Sequence, residues 1–113
     1  MGNPSRQDFN AATAQLGPQE AKSLDFLPLS ATTLAVAVVD GEAEYSVEIT
    51  LDDINDPAVT PFWFTHKDFP TGSTTTKYGE SFTPWRWVRL NLVSLTGDVS
   101  FYVGQTLDAS GSF

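Results

Sequence analysis

From Ala43 to Leu51 the chain alternates strictly. Ala43, Tyr45, Val47, Ile49 and Leu51 are apolar, and Glu42, Glu44, Ser46, Glu48 and Thr50 beside them are polar. A period of two puts each set on its own side of an extended strand, whereas a helix would scatter the five apolar residues around its circumference. The spacing therefore predicts a strand over 42–51 with one apolar and one acidic face. Thr32 to Val39, just before it, is rich in β-branched residues and nearly all apolar, as in a strand buried on both faces. Asp40-Gly41 between the two runs reads as a hairpin turn. Further on, Val88, Leu90 and Leu92 alternate, Leu95-Thr96-Gly97-Asp98 turns, and Val99, Phe101 and Val103 alternate again. These runs predict strands over 86–93 and 98–105 and a second hairpin between them.

The remaining segments are less regular. Residues 1–21 are small and polar, broken by Pro4, Gly17 and Pro18, and read as an extended N-terminal arm. A short helix from Asp8 to Leu16 is the alternative, with Asp8 as its N-cap and Gly17 as its stop. Asp52 to Thr83 is a long connection interrupted by prolines and glycines. Within it Phe62-Trp63-Phe64 is expected to anchor a short strand in the core, and Thr71 to Lys77 to form a polar loop or edge strand. Residues 106–113 read as a short C-terminal tail, whose Phe113 could dock on something. Six or seven short strands with turn chemistry between them, and no helical period of any length, predict an all-β antiparallel β-sandwich or jelly-roll-like domain over 22–105.

Composition narrows the function classes. One domain is expected from 113 residues, and 41% hydrophobic content with eight Phe and three Trp argues against a disordered chain. The absence of cysteine removes disulfides, zinc–thiolate sites and thiol nucleophiles. A net charge of −8 argues against sequence-independent binding of nucleic acid or of an anionic membrane, both of which need clustered Lys and Arg. No segment is apolar for long enough to span a bilayer, and Met1 to Leu16 lacks the pattern of a signal peptide. The charges are segregated: seven acids fall between Asp40 and Asp56, where there is no Lys or Arg, while Arg86 and Arg89 lie on the later strands. Such an arrangement suits steering between copies or toward a basic partner, and equally a solvated face.

Few residues could carry chemistry. His66 is the single histidine, and no G-x-S-x-G elbow offers it a serine; a solvated loop histidine is expected. Asp52, Asp53, Asn55 and Asp56 place four oxygen-bearing side chains within five residues, a weak calcium candidate. The glycine and terminal glutamate of an EF-hand are missing, and the same run is what an Asx-turn looks like. Glu42, Glu44 and Glu48 share a strand face and read as a solvated acidic edge rather than a glycosidase pair. No catalytic residue and no cofactor is assigned. Trp85 and Trp87 are placed on the face opposite Val88, Leu90 and Leu92, with Arg86 and Arg89 nearby. Both faces of that strand are then apolar, and the outer one needs a cover: the chain's own long loop, a protein partner, or a stacked sugar.

The spacing Tyr45-x-Val47, Thr50, Asp52-Asp53, Pro57, Trp63-Phe64, Pro84-x-Arg86-x-Val88-Arg89-Leu90, Gly97 and Val103-x-Gln105 resembles a group of small β-sandwich structural proteins of tailed-bacteriophage virions. The resemblance covers about residues 30–105. It departs from the group at Trp85 and Trp87, where smaller residues are common. It implies a non-enzymatic virion protein, a capsid decoration or cement protein on the shell surface, bound to the major capsid protein or other virion proteins. A homo-oligomer, trimer or dimer, is expected, with Trp85, Trp87, Arg86, Arg89 and Phe113 as interface candidates. A head–tail or tail-fibre adaptor, and a carbohydrate-binding module using Trp85 and Trp87, are the alternatives.

Overall fold

The computed structural model describes residues 5–24, 31–81 and 85–106. Phe113, the rest of 107–113 and Pro84 lie outside them. Among the described residues there are nine strands and no helix: β1 (Ser5–Asn10), β2 (Gly17–Pro18), β3 (Lys22–Ser23), β4 (Ala31–Asp40), β5 (Ala43–Thr50), β6 (Phe64–Thr65), β7 (Lys77–Ser81), β8 (Trp87–Leu95) and β9 (Asp98–Thr106). They form two antiparallel sheets. One has the order β1-β9-β4-β7; the other has β2-β8-β5-β6, with β3 also on β8. The β-sandwich predicted from the alternating runs is the architecture of the chain.

Neither expected hairpin forms, and the difference defines the fold. β4 and β5 lie in different sheets, and so do β8 and β9. The run β4–β5 pairs instead with β8–β9 along its whole length, from Ala31↔Thr106 to Asp40↔Asp98 in one sheet and from Ala43↔Leu95 to Thr50↔Trp87 in the other. Asp40-Gly41 and Thr96-Gly97 are thus the two corners of one long ribbon folded over on itself. A tight reversal with Gly41 at φ 68° serves a hairpin and an inter-sheet corner alike. Long-range pairing chooses between them, and it puts Leu34 and Val36 across the core from Tyr45, Val47 and Ile49.

Two further passes of the chain flank this ribbon. Residues 5–21, the described part of the expected 1–21 arm, are extended, but as strands rather than as a free segment: β1 pairs with β9 and β2 with β8, and β3 follows on β8. Ala11 to Thr13 make only a turn, so the alternative helix over 8–16 does not form. On the other side β6 pairs with β5 and β7 with β4, with Ser73 bridging to Tyr45 between them. In chain order the four passes are therefore arranged first, fourth, second, third in both sheets. With β2 and β3 sharing one position, this is the eight-position order of a jelly roll.

The buried set follows the alternation on both sides of the corner. Thr32, Leu34 and Val36 face inward on β4, then Ala43, Tyr45, Val47 and Ile49 on β5. Val88, Leu90 and Leu92 on β8, and Val99, Phe101 and Val103 on β9, answer them. Parity switches at the corner in each strand, and each carries one irregularity there: Val39 is skipped by the β4–β9 register and Val93 by the β5–β8 register. Both skipped valines are exposed. The aromatic that the long connection sends into the core is Phe69, fully buried, and not the expected Phe62-Trp63-Phe64 cluster. That cluster lies at the end of a two-residue edge strand, too short to carry it inside. Leu24 closes the core from the first pass.

The corner is held by hydrogen bonds from backbone N–H groups to carbonyls and threonine hydroxyls. Glu42 N–H donates to Thr96 Oγ1 (2.9 Å) and Thr96 N–H to the Glu42 carbonyl (2.8 Å). Ala11 N–H donates to the Gly97 carbonyl (3.0 Å), and Val38 N–H to Thr76 Oγ1 (2.9 Å). Tyr45, buried completely, donates its hydroxyl to the Thr75 carbonyl, and burial pushes its phenol up to about 12. A Cβ on Gly97 would stand 2.0 Å from the Asp40 carbonyl oxygen, a backbone atom that cannot swing away. Gly97→Ala is therefore expected to cost about 3 kcal/mol or more in denaturant unfolding. Gly104→Ala, where a Cβ meets nothing within 4 Å, should stay within about 0.5 kcal/mol of the parent.

Candidate functional site

The end of the five-stranded sheet remote from the corner gathers the residues singled out in the sequence. β8 begins at Trp87, which stands in register with Thr50 on one side and Ser23 on the other. Because Val88 points into the core, Trp87 faces outward. Trp85 does not share that face: it precedes the strand, across a bend at Arg86 whose N–H donates to the Thr50 carbonyl (2.9 Å). Alternation does not carry through a bend. Trp85 instead packs against the buried cluster, its ring 5.7 Å from that of Phe64. Both tryptophans are half-buried, so the expected two-tryptophan platform is not present as one surface.

Beyond Trp87 the outer face is covered from within. Arg89 Nε lies 2.6 Å from Glu48 Oε1, its cross-strand neighbour, and the guanidinium sits 3.9 Å from the centre of the Trp63 ring. The pair is about four-fifths buried on both sides, where charge-assisted contacts are stronger than at a bare surface. Trp63 thus seats the 51–63 connection on the sheet. Ser46 and Thr50, on the same outward side of β5, are buried. Glu48 of the acidic strand face and Arg89, read as separate features, form one structural contact, while Glu42 stays exposed.

The acidic run behaves as turn chemistry. Asp52 Oδ2 accepts from Phe62 N–H (2.8 Å), Asp53 Oδ1 from Asn55 N–H (3.0 Å) and Asp56 Oδ1 from Ala58 N–H (2.9 Å). Asp53 and Asp56 thus close Asx-turns, and Asp52 ties the start of the connection to Phe62. Among the described residues no three His, Asp or Glu side chains converge as metal ligands.

His66 is buried, contrary to the expected loop histidine. The connection turns inward there: His66 N–H donates to the Val47 carbonyl (2.8 Å), and its ring stands edge-on to Phe69, 5.3 Å between centres. Nδ1 accepts from Asp68 N–H (3.1 Å), which assigns the proton of the neutral ring to Nε2. Burial lowers its pKa, partly offset by the Asp68 carboxylate 3.9 Å away. No nucleophile faces it among the contacts described, and its place is that of a core residue.

What remains open is an aromatic surface that the sequence did not single out as exposed. Phe62 and Phe64 are 66% and 47% exposed, with ring centres 4.9 Å apart, and Phe64 leads on to Trp85. Val59 and Leu51, of the same connection, are exposed as well. Arg86, next to Trp85, is exposed and has no ion-pair partner among the described residues. A signal for exposure lies in the sequence: Pro57 and Pro61 precede the cluster and interrupt the segment leading into it, and only Phe64 joins a ladder, in the two-residue edge strand β6.

Two outcomes follow. Folded, His66 holds a proton less tightly than in the unfolded chain, so the unfolded state binds more protons as pH falls below the ordinary histidine value of 6.5. The melting temperature should therefore fall through that window, and His66→Gln should flatten the fall. Trp63→Ala should free the connection, raising the rate of limited proteolysis within 51–63 several-fold; Arg89→Lys should act in the same direction, since an ammonium cannot both grip Glu48 and lie flat on the indole.

Comparison of the chain with protein-family models, with curated proteins and with solved structures finds no match in any of the three.

Proposed function

We propose that this is a non-enzymatic structural protein of a tailed-bacteriophage virion, a capsid decoration or cement protein that works through protein–protein contacts. The observation that carries the reading is the aromatic surface of Phe62, Phe64 and Trp85 at the open end of a rigid jelly roll. Apolar area exposed in one contiguous group, bordered by an arginine with no ion-pair partner among the described residues, suits a docking surface. It lies on an edge strand and a connection, outside the ladder that holds the sandwich together, so it can be occupied without disturbing the core. The sequence resemblance over about residues 30–105 supplies the virion context. Arg86 and Trp85 remain interface residues in this reading. Arg89 is assigned to the fold, through Glu48 and Trp63.

A partner covering this end could be the major capsid protein or a second copy of the chain, in a dimer or trimer. Fourteen acids against six bases make self-association weaker at low salt and stronger as salt screens the repulsion.

Particles of the phage encoding the chain should contain it in many copies by quantitative mass spectrometry, and its absence from purified particles overturns the reading. Purified chain should rebind particles stripped of it. Phe62→Ser should weaken that rebinding at least about tenfold, with the melting temperature nearly unchanged because the ring is mostly in solvent.

A further inference from the structure

The outer face of the four-stranded sheet carries a second arrangement, at a distance from the aromatic end. Register brings Arg6, Tyr102, Ala35 and Tyr78 into one row across β1, β9, β4 and β7. Their chain neighbours Leu34, Val36, Phe101 and Val103 are buried, so the row points outward. Ala35 separates the two tyrosines, which stand two strand spacings, roughly 10 Å, apart. Tyr78 is 80% exposed. The Arg6 guanidinium lies 5.2 Å from the centre of the Tyr102 ring and fixes it from the far side. The floor beside them is made of Thr33, Ala37 and Gly104, all short, so the tyrosines rise as two walls of a shallow trough.

The adjoining row supplies polar groups already held in place. Asp8 Oδ1 accepts from Arg6 Nε (2.6 Å) and from Ser100 Oγ (2.6 Å). These contacts lower the Asp8 pKa, first through Ser100 and then through Arg6, so the carboxylate stays ionised. Its Oδ2 has no partner among the described residues. Toward the corner, Arg6, Asp8, Asn10, Asp98, Ser100 and Val39 line a cavity of about 300 Å³. This is at the small end of ligand pockets. An aromatic wall offers a face for C–H groups, and fixed carboxylate, amide and guanidinium groups beside it offer partners for several hydroxyls. A pyranose ring presents both at once.

We propose that this face binds a neutral oligosaccharide, with Tyr78 and Tyr102 stacking on sugar rings and the Arg6–Asp8–Ser100 group taking hydroxyls in the cavity. Charge selects within the class. Arg6 is neutralised by Asp8, and Asp98 with Asp40 beside it leaves the cavity negative, which repels uronates, sialylated glycans and phosphates. A protein partner is less suited to it, because the floor has no large apolar anchor between the tyrosines. The inference is independent of the virion reading: it concerns the other sheet, and either can hold without the other.

The test is a glycan array with neutral hexose and N-acetylhexosamine oligomers beside uronate and sialylated ones, followed by calorimetric titration of the best neutral oligomer. Neutral oligomers should bind and acidic ones should not. Tyr78→Ala should weaken the titrated affinity at least tenfold while the melting temperature holds, and Tyr78→Phe, which keeps the ring, should restore it. Phe62→Ser, at the other end of the molecule, should leave it unchanged. No neutral oligomer bound at millimolar concentration, binding confined to acidic glycans, or full affinity in Tyr78→Ala would each overturn the proposal.

Discussion

The close approach of two chain corners, Asp40-Gly41 against Thr96-Gly97, is the contact on which the rest of the structure depends. Gly97 lies so near the Asp40 carbonyl that a methyl group there would overlap it. A Cβ on Gly41 would meet the Gly97 backbone at 2.9 Å. Only with both side chains absent can the paired strands turn together from one sheet into the other. Thr96 then ties the corners by donating and accepting with Glu42, Ala11 ties the first pass to Gly97, and Thr76 ties the third pass to Val38. Four passes of chain bend along a single line. The sandwich is one four-stranded sheet folded across its middle, and each half supplies the cover the other needs.

That construction sorts the surfaces. The fold line is rich in acid, with Asp40, Glu42 and Asp98 all exposed and Asp40 directly opposite Asp98 in the register. Like charges there cost some stability and discourage other chains from adding at the corner. The far end of the five-stranded sheet differs: its backbone ends in an irregular connection whose aspartates accept from backbone N–H groups of the same segment, and the aromatics that cannot enter the core collect there. The outer face of the four-stranded sheet is different again, flat and lined by short residues between two tyrosines. A docking role at the end and a small-ligand role on the face draw on different elements, so neither competes with the other for the same side chains.

Burial assigns polar groups that looked functional in isolation. Arg89 and Glu48 are a cross-strand pair lidded by Trp63, and the aspartates of the 52–56 run are acceptors for their own loop. His66 sits where the connection dips to bring Phe69 inside. Each satisfies backbone donors or a neighbouring charge that would otherwise be left unpaired on desolvation. The connection between β5 and β7, irregular as it is, is anchored at Trp63, His66, Phe69 and Ser73.

Much of this was legible in the residues themselves. The alternation at Ala43 to Ile49, Val88 to Leu92 and Val99 to Val103 determined strands, their inward faces and hence an all-β sandwich, because a period of two is a local property of extended backbone. Pro57 and Pro61 determined that the connection would leave the ladder, and the Asx-turn reading of the 52–56 run was available from its composition. Tertiary structure decided the partners. Whether Asp40-Gly41 closes a hairpin or a sheet corner depends on strands more than fifty residues away, and the local turn geometry is the same in both. The splitting of Trp85 from Trp87 depends on where β8 begins, which its pairing with Thr50 sets. The row of Arg6, Tyr102, Ala35 and Tyr78 comes from four distant segments, and no local pattern links them. Side-chain direction is written in neighbouring residues, whereas juxtaposition requires chain closure over long loops, and only the assembled sheets specify it.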